Sequence, residues 1–232
     1  MHCDSKMLLI RSFNIFAHIT DDEYEELGLE HNFIEAKKGD YIYFQSDYHN
    51  KLYFTKEGFI KIGYIDDGGN EVIKEIIQKG EVFGQITLEK NNLNGEFAKA
   101  YKGNVSLCAF TIEDFIKLLH QKPTMAIAFS MQVGNKLRKV ENRLINLLNK
   151  DVKTRLINLM LQLAENNGTV IYNTASVARF LTHDDIARLI GSSRQTVTTF
   201  LNQFESMQLL KITKQKFFIP DVKKLLKTSP VS

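Results

Sequence analysis

Cysteine is scarce in this chain of 232 residues: only Cys3 and Cys108 occur. One lies near the start and the other inside an apolar, strand-like run, so they can build neither a disulfide framework nor a four-thiolate cluster. Long apolar runs are lacking as well. No segment approaches the roughly 18–20 consecutive apolar residues of a membrane span, and Met7-Leu8-Leu9-Ile10, followed by Arg11, is too short for a secretory signal. These absences predict a cytoplasmic chain with no membrane partner. Histidine is present but dispersed, and His2, His18, His31, His49, His120 and His183 never fall at H-x-H or H-x-x-x-H spacing. A metal-holding β-barrel needs two or three convergent histidines, yet residues 33–110 contain only His49. No metal site and no catalytic residue is therefore expected.

What is present is an ordinary globular balance, 44% hydrophobic and 25% charged, over a length suited to two modest domains. The charge is uneven. Residues 1–150 hold 19 basic and 21 acidic side chains, whereas residues 151–232 hold 11 basic and 6 acidic. A basic last third beside a slightly acidic remainder suits a polyanion partner for that third.

The first 30 residues read as helical, from the clustering of Met7, Leu8, Phe13, Ile15 and Phe16 and a helix-start signal at Thr20-Asp21-Asp22-Glu23 before Tyr24 and Leu27. From Phe33 the pattern becomes β. Short aromatic and β-branched runs at 41–44, 52–55, 59–65 and 71–77 are separated by turn signals at 38–40, 56–58, 66–70 and 78–81. Further runs at 98–101 and 105–110 bring the total to about eight strands, for which a jelly-roll-like barrel is the simplest closure. A short helix then covers 112–120, and Pro123 opens a much longer one. On it Val133, Leu137, Val140, Leu144 and Leu147 recur at spacings of 4, 3, 4 and 3 with charged flanks, the seam of a helix that pairs with a second copy. The next helix, rich in leucine from Leu156 to Leu163, is expected to stop where Gly168 takes a left-handed conformation. An extended piece, 169–172, follows.

Residues 182–205 carry the most specific pattern. Thr182 can cap a helix whose Ile186, Ala187 and Ile190 face inward, Gly191 supplies a turn, and Ser192 can cap a second helix with Gln195 three residues on. This is a helix-turn-helix. At about 100° per residue, Val197, Phe200, Leu201 and Phe204 fall in one arc, while Arg194, Gln195, Thr198, Thr199 and Asn202 fall in the other. Arginine pairs with guanine and glutamine with adenine in the major groove. Residues 209–213 and 217–219 around the turn Lys214-Gln215-Lys216 form a hairpin with a basic tip, a wing that can touch phosphate.

On these motifs the chain resembles the Crp/Fnr family of transcription regulators over nearly its whole length, from about Phe13 to Leu226. The carriers are Lys79-Gly80-Glu81-Val82-Phe83-Gly84-Gln85, the heptad helix ending at Asp151-Val152, and Ile190-Gly191-Ser192-Ser193-Arg194-Gln195-Thr196-Val197. The resemblance implies an α+β fold in three parts. These are an N-terminal cyclic-nucleotide-binding-like β jelly-roll barrel (1–122), a dimerisation helix (123–150) and a C-terminal winged helix-turn-helix (151–232). It implies a homodimer on palindromic double-stranded DNA, gated by a small effector in the barrel, with RNA polymerase as a further partner by family analogy. The family's reading positions fall on Arg194, Gln195 and Thr199; Ser193, Thr198, Asn202, Lys214 and Lys216 complete the expected DNA-binding set.

The cyclic-AMP-binding members have glutamate and arginine where this chain has Gln195 and Thr199, so their half-site does not carry over. An effector pocket would draw on Glu81, Gly84, Gln85 and Glu96 in the barrel and on Val140 and Glu141 in the helix. Cyclic AMP suits that set poorly: Gln85 stands where an acidic residue holds ribose, and Glu96 stands where an Arg-Ser pair holds phosphate. Val140-Glu141 also replaces an adenine-contacting Thr-Ser pair. Iron–sulfur sensors of the family need clustered cysteines, which this chain lacks. A haem sensor stays open, since a single histidine could ligate iron, but none is singled out. A module whose winged helix docks a protein is the alternative.

Overall fold

The computed structural model describes residues 13–16, 20, 22, 32–44, 50–88 and 95–228, the side chains of 14, 166 and 167 excepted. The helical expectations on Met7, Leu8, Tyr24 and Leu27, together with Cys3 and His49, lie outside the described residues. The chain divides into two compact units, Met1–Arg138 and Lys139–Ser232.

Among the described residues the first unit holds six strands: β1 (Asn32–Ala36), β2 (Tyr41–Tyr43), β3 (Lys51–Ile65), β4 (Glu71–Ile77), β5 (Val82–Gly84) and β6 (Glu96–Thr111). Strands β3 and β6 pair antiparallel along their whole lengths, from Lys51 opposite Thr111 to Tyr64 opposite Glu96. At one end they are flanked by β1 and β5, and at the other by β2 and β4. The sequence pattern had split each long strand in two, and both divisions need correction. Lys56-Glu57-Gly58 is a register shift inside β3, with Gly58 at φ +88° where an added Cβ would lie 2.6 Å from the Asn104 carbonyl oxygen. In β6 the break is Lys102 at φ +65°. Such bulges bend a strand without ending it, which lets two long strands serve both halves of a barrel.

Among the described residues two buried clusters result. Inside the strands, Ile60, Ile62, Ile77, Val105 and Leu107 pack with a stack of three rings, Tyr43, Tyr53 and Phe83. The second cluster joins Phe54 and Phe110 to Phe13, Phe16, Phe115 and Phe129. Phe13, Ile15 and Phe16 are buried there around a 3-10 turn at Asn14–Phe16. Helix α1 (Ile112–Gln121) starts at Thr111, whose hydroxyl caps the Asp114 N–H.

Pro123 occupies the first position of α2 (Pro123–Asn149), where its missing N–H costs no hydrogen bond. Met125 and Phe129 of α2 are buried in the second cluster and Val133 packs half-buried against it. Leu137, Val140, Leu144 and Leu147 are exposed by 59%, 58%, 56% and 38%. No described helix is long and apolar enough to cross a membrane.

In the second unit, α3 (Val152–Asn167) begins at Asp151, whose carboxylate accepts the Thr154 N–H at 2.7 Å. That bond holds the Asp151 carboxyl below its ordinary range. Gly168 does not stop this helix in a left-handed conformation, as its sequence position suggested. It is extended, φ −105° and ψ −174°, and a Cβ would lie 2.4 Å from the Ser176 carbonyl oxygen and 2.6 Å from that of Ala164. Glycine is required here for close backbone approach, not for handedness.

After α3 come β7 (Gly168–Ile171), β8 (Thr174–Ala178), α4 (His183–Ile190), α5 (Arg194–Ser206), β9 (Lys211–Ile212), β10 (Lys216–Ile219) and α6 (Val222–Lys227). Their strands form one sheet in the order β7-β8-β10-β9. The short, weakly patterned β8 escaped the sequence reading, and the wing hairpin is an extension of the sheet it founds.

Candidate nucleic-acid interface

Local chemistry builds the helix-turn-helix. Thr182 and Asp185 form a reciprocal capping box at the start of α4, and Ile186, Ala187 and Ile190 are buried beneath it. Gly191 takes φ +61° and ψ +55°, ending α4 in the left-handed conformation that glycine adopts without strain. The second helix is capped by Ser193, whose Oγ accepts the Thr196 N–H at 3.0 Å. This corrects the expected cap at Ser192: the turn is one residue longer, and Gln195 is released from a capping role.

Behind the turn sits Arg155 of α3. Its Nε donates to the Ile190 carbonyl at 2.8 Å, its Nη2 to the Gly191 carbonyl at 3.1 Å and its Nη1 to the Lys150 carbonyl at 2.8 Å. Carbonyls at helix C-termini lack intrahelical partners and carry partial negative charge, so one guanidinium satisfies two helix ends together. A Cβ on Gly191 would lie 3.0 Å from Leu147, which places the last turns of α2 against the helix-turn-helix. Asn158 Nδ2 also donates to Asn146 Oδ1 at 3.0 Å.

On α5, Val197, Leu201 and Phe204 are buried. Phe200, expected in the core, is only half-buried and stacks on Phe204 with centroids 6.4 Å apart. Of the expected reading residues, Arg194, Gln195, Thr199 and Asn202 are exposed, and Thr198 is half-buried. Thr199 Oγ1 donates to the Gln195 carbonyl at 3.0 Å and Thr198 Oγ1 to the Arg194 carbonyl at 2.9 Å. Ser193 is exposed while its oxygen serves the cap. The wing turn is closed by Thr213, whose Oγ1 accepts the Lys216 N–H at 3.0 Å and donates to the Lys216 carbonyl. Lys214 and Lys216 are exposed on it. Among the described residues no ion pair involves Arg194, Lys211, Lys214 or Lys216.

In sequence His183 is only one of six scattered histidines, with no signal that marks it as part of the interface. Its Nδ1 lies 2.9 Å from Thr198 Oγ1 and its Nε2 3.5 Å from Arg179 Nη2. Burial, then the charges of Arg179 and Arg194, lower its titration below the ordinary histidine value.

The barrel residues expected to hold an effector have internal partners. Glu81 accepts the Gln78 N–H at 2.9 Å and closes its own turn. Gly84, at φ +89°, is a close-approach position: a Cβ would lie 2.6 Å from the Lys51 carbonyl oxygen and 2.9 Å from the Tyr53 ring. Glu96 accepts from the Tyr43 hydroxyl at 2.7 Å and from Lys74. Burial, reinforced by that carboxylate, holds the Tyr43 phenol far above its usual range. Gln85 is 2% exposed; its amide donates to Thr87 and its Oε1 has no hydrogen-bond partner. Val140 and Glu141 are exposed on α2, within the second unit. Cys108 is buried, which pushes its thiol up to about 11. Among the described residues no group of three or more His, Cys, Asp or Glu side chains could hold a metal.

A capped helix, a left-handed glycine turn, a second capped helix with an outward polar face and an adjoining sheet with a basic tip together define a winged helix-turn-helix protein. The comparisons agree. Residues 154–228 match the Crp-like helix-turn-helix domain and residues 33–122 the cyclic nucleotide-binding domain. The chain is 25% identical over 179 residues to the global nitrogen regulator of Nostoc, covering 77% of this chain and 80% of that one. It is 23% identical over 192 residues to the CRP-like cAMP-activated global transcriptional regulator of Mycobacterium tuberculosis, covering 83% and 85%. Its fold is similar to a CooA variant from Carboxydothermus hydrogenoformans, with a TM-score of 0.77 at 20% identity over 96% of this chain and 98% of that one. A CRP/FNR family regulator of Thermus thermophilus gives 0.65 at 21% identity, over 84% and 98%. The chain thus joins a cyclic nucleotide-binding domain to a Crp-like helix-turn-helix domain, and its relatives are Crp/Fnr family transcription regulators, not enzymes.

Proposed function

We propose that this protein is a sequence-specific, homodimeric regulator that reads a two-fold symmetric operator through α5. One observation carries this: Arg194, Gln195, Thr199 and Asn202 stand exposed on one face of a helix anchored by its opposite face, beside the exposed lysines of the wing. Arginine suits a guanine, and glutamine or asparagine an adenine; Lys214 and Lys216 supply phosphate contacts. The exposed leucine and valine row of α2 supports pairing with a second copy, because a soluble chain rarely leaves such a stripe in water. Two reading helices then enter successive major grooves about one helical turn (~34 Å) apart. Such a protein works in the cytoplasm, where bacterial DNA lies.

Cyclic AMP is not the effector on this proposal, since Glu96 would face a phosphate with like charge. An effector of another kind acts only by binding the DNA-competent arrangement more tightly than the other.

The test is selection from randomised duplexes with ligand-free protein, followed by sequencing. An enriched palindrome whose bases change with Arg194→Ala and Gln195→Ala is the expected result. No enrichment, with or without cell extract, overturns the proposal. Affinity that barely responds to salt points instead to a protein partner, because phosphate neutralisation releases counterions and gives a steep salt dependence.

A further inference from the structure

Behind the reading helix, three side chains from separate elements form one chain of polar contacts. Thr198 Oγ1 gives its proton to the Arg194 carbonyl at 2.9 Å, so it meets His183 Nδ1, also 2.9 Å away, as an acceptor. The imidazole proton is thereby placed on Nδ1. Nε2 then carries a lone pair toward Arg179 Nη2, 3.5 Å away. Arg179 stands just beyond β8 and is tied to the wing three times. Its backbone N–H donates to the Gln215 carbonyl at 2.7 Å, its Nη1 donates to the Thr213 carbonyl at 3.2 Å, and its guanidinium lies 5.6 Å from the Phe217 ring centroid. The wing turn, the first residue of α4 and the start of α5 are thus linked through Arg179, His183 and Thr198.

We propose that His183 is a positioning residue for base recognition: through Thr198 and Arg179 it fixes the first turn of α5 against the wing. Arg194 and Gln195 then approach the bases at a set depth while Lys214 and Lys216 hold phosphate. This rests on the DNA-reading function proposed above. The link requires a neutral ring. The charged groups facing it are Arg179 from the end of β8 and Arg194 from α5. On its own helix, Asp184 pairs with Arg188 and Asp185 with Thr182. A proton added at Nε2 would confront the Arg179 guanidinium, so acid breaks the contact between wing and reading helix.

The experiment compares affinities for a selected operator and for the same duplex altered at the bases facing Arg194. It does so in wild type, His183→Ala and His183→Asn, across salt and between about pH 8 and about pH 5.5. In His183→Ala the ratio of the two affinities falls about tenfold, the scale of one bidentate base contact, and the salt slope is unchanged. His183→Asn keeps a donor near the Nδ1 position and retains part of the ratio. Wild-type discrimination declines as pH falls; that of both variants is flat.

Three results would overturn the proposal. Discrimination in His183→Ala could equal wild type at every pH. Alternatively, His183→Ala could weaken both duplexes equally with a salt slope shallower by about one, the mark of a phosphate contact. Or wild-type affinity could rise uniformly as pH falls, which would make His183 a cationic phosphate ligand. A wild type with no preference for any duplex removes the regulator function as well, whereas a preference indifferent to His183 removes only this role.

Discussion

The two units handle polarity in opposite ways. In the barrel, charged side chains engage one another: Glu71 lies between Lys61 and Lys99, Glu75 holds Lys136, and Glu96 holds Tyr43 and Lys74. In the DNA-reading unit Asp151, Arg155, Thr182 and Ser193 direct their hydrogen bonds to backbone groups at helix ends. The informative side chains of α5 and the wing are turned outward. A group already engaged must lose a partner before it can bind anything, while a displayed group loses only water. That difference is why the DNA-reading surface identifies its ligand class and the barrel does not.

The largest effect should come from breaking the barrel alone. Phe110 is fully buried among Phe16, Phe54 and Phe115, and Phe110→Ala should cost about 3–5 kcal/mol. Hydrogen exchange should show amide protection lost in β3 and β6 and kept in α4 and α5. Equal loss in α5 would mean that the two units unfold together and that the contrast between them is only local.

Next comes the converse lesion. Arg155→Ala leaves carbonyls of Lys150, Ile190 and Gly191 without their donor, at about 1–3 kcal/mol, and should loosen α4 and α5 without touching β3. Arg194→Ala should leave thermal stability unchanged and cost about 1–3 kcal/mol of discrimination at one base position. If stability fell instead, Arg194 would belong to the scaffold rather than the displayed set.

Asp151→Ala should cost about 1 kcal/mol through the lost helix cap. Because the folded Asp151 carboxyl titrates below its ordinary value, its contribution is present above the usual aspartate range and disappears as pH falls through the folded value. Acid unfolding of wild type and variant should therefore converge at low pH. The smallest effect belongs to Lys214→Ala, expected to weaken all sequences alike and to reduce the salt slope by about one.

What could be read without coordinates follows the same division. Caps, the Gly191 turn and the two arcs of α5 depend on neighbours within four residues, so Thr182, Gly191 and Val197 announce themselves. The expected cap at Ser192 erred by one residue because two adjacent serines carry the same chemistry. Gly58 looks like a turn in sequence because a positive φ has the same local signature in a bulge as at a strand's end, while the Lys102 bulge has no such residue to announce it. Gly168 has the sequence position of a left-handed helix stop, whereas what demands glycine there is the Ser176 carbonyl from another strand. The Arg155 clamp spans 35 and 36 residues to the helix-turn-helix, a separation that no periodicity records.

Residues 139–149 of α2 fall in the same compact unit as the helix-turn-helix, with Leu147 packed on the Gly191 turn and Arg155 holding both helix ends. In the proposed dimer, the separation of the two reading helices is therefore a length stored in the last turns of α2. On that proposal, spacing between operator half-sites is a heritable dimension of the protein, separate from which bases are read. A change at Leu144 or Leu147 could move the regulator to sites of different length while Arg194 and Gln195 still recognise the same letters.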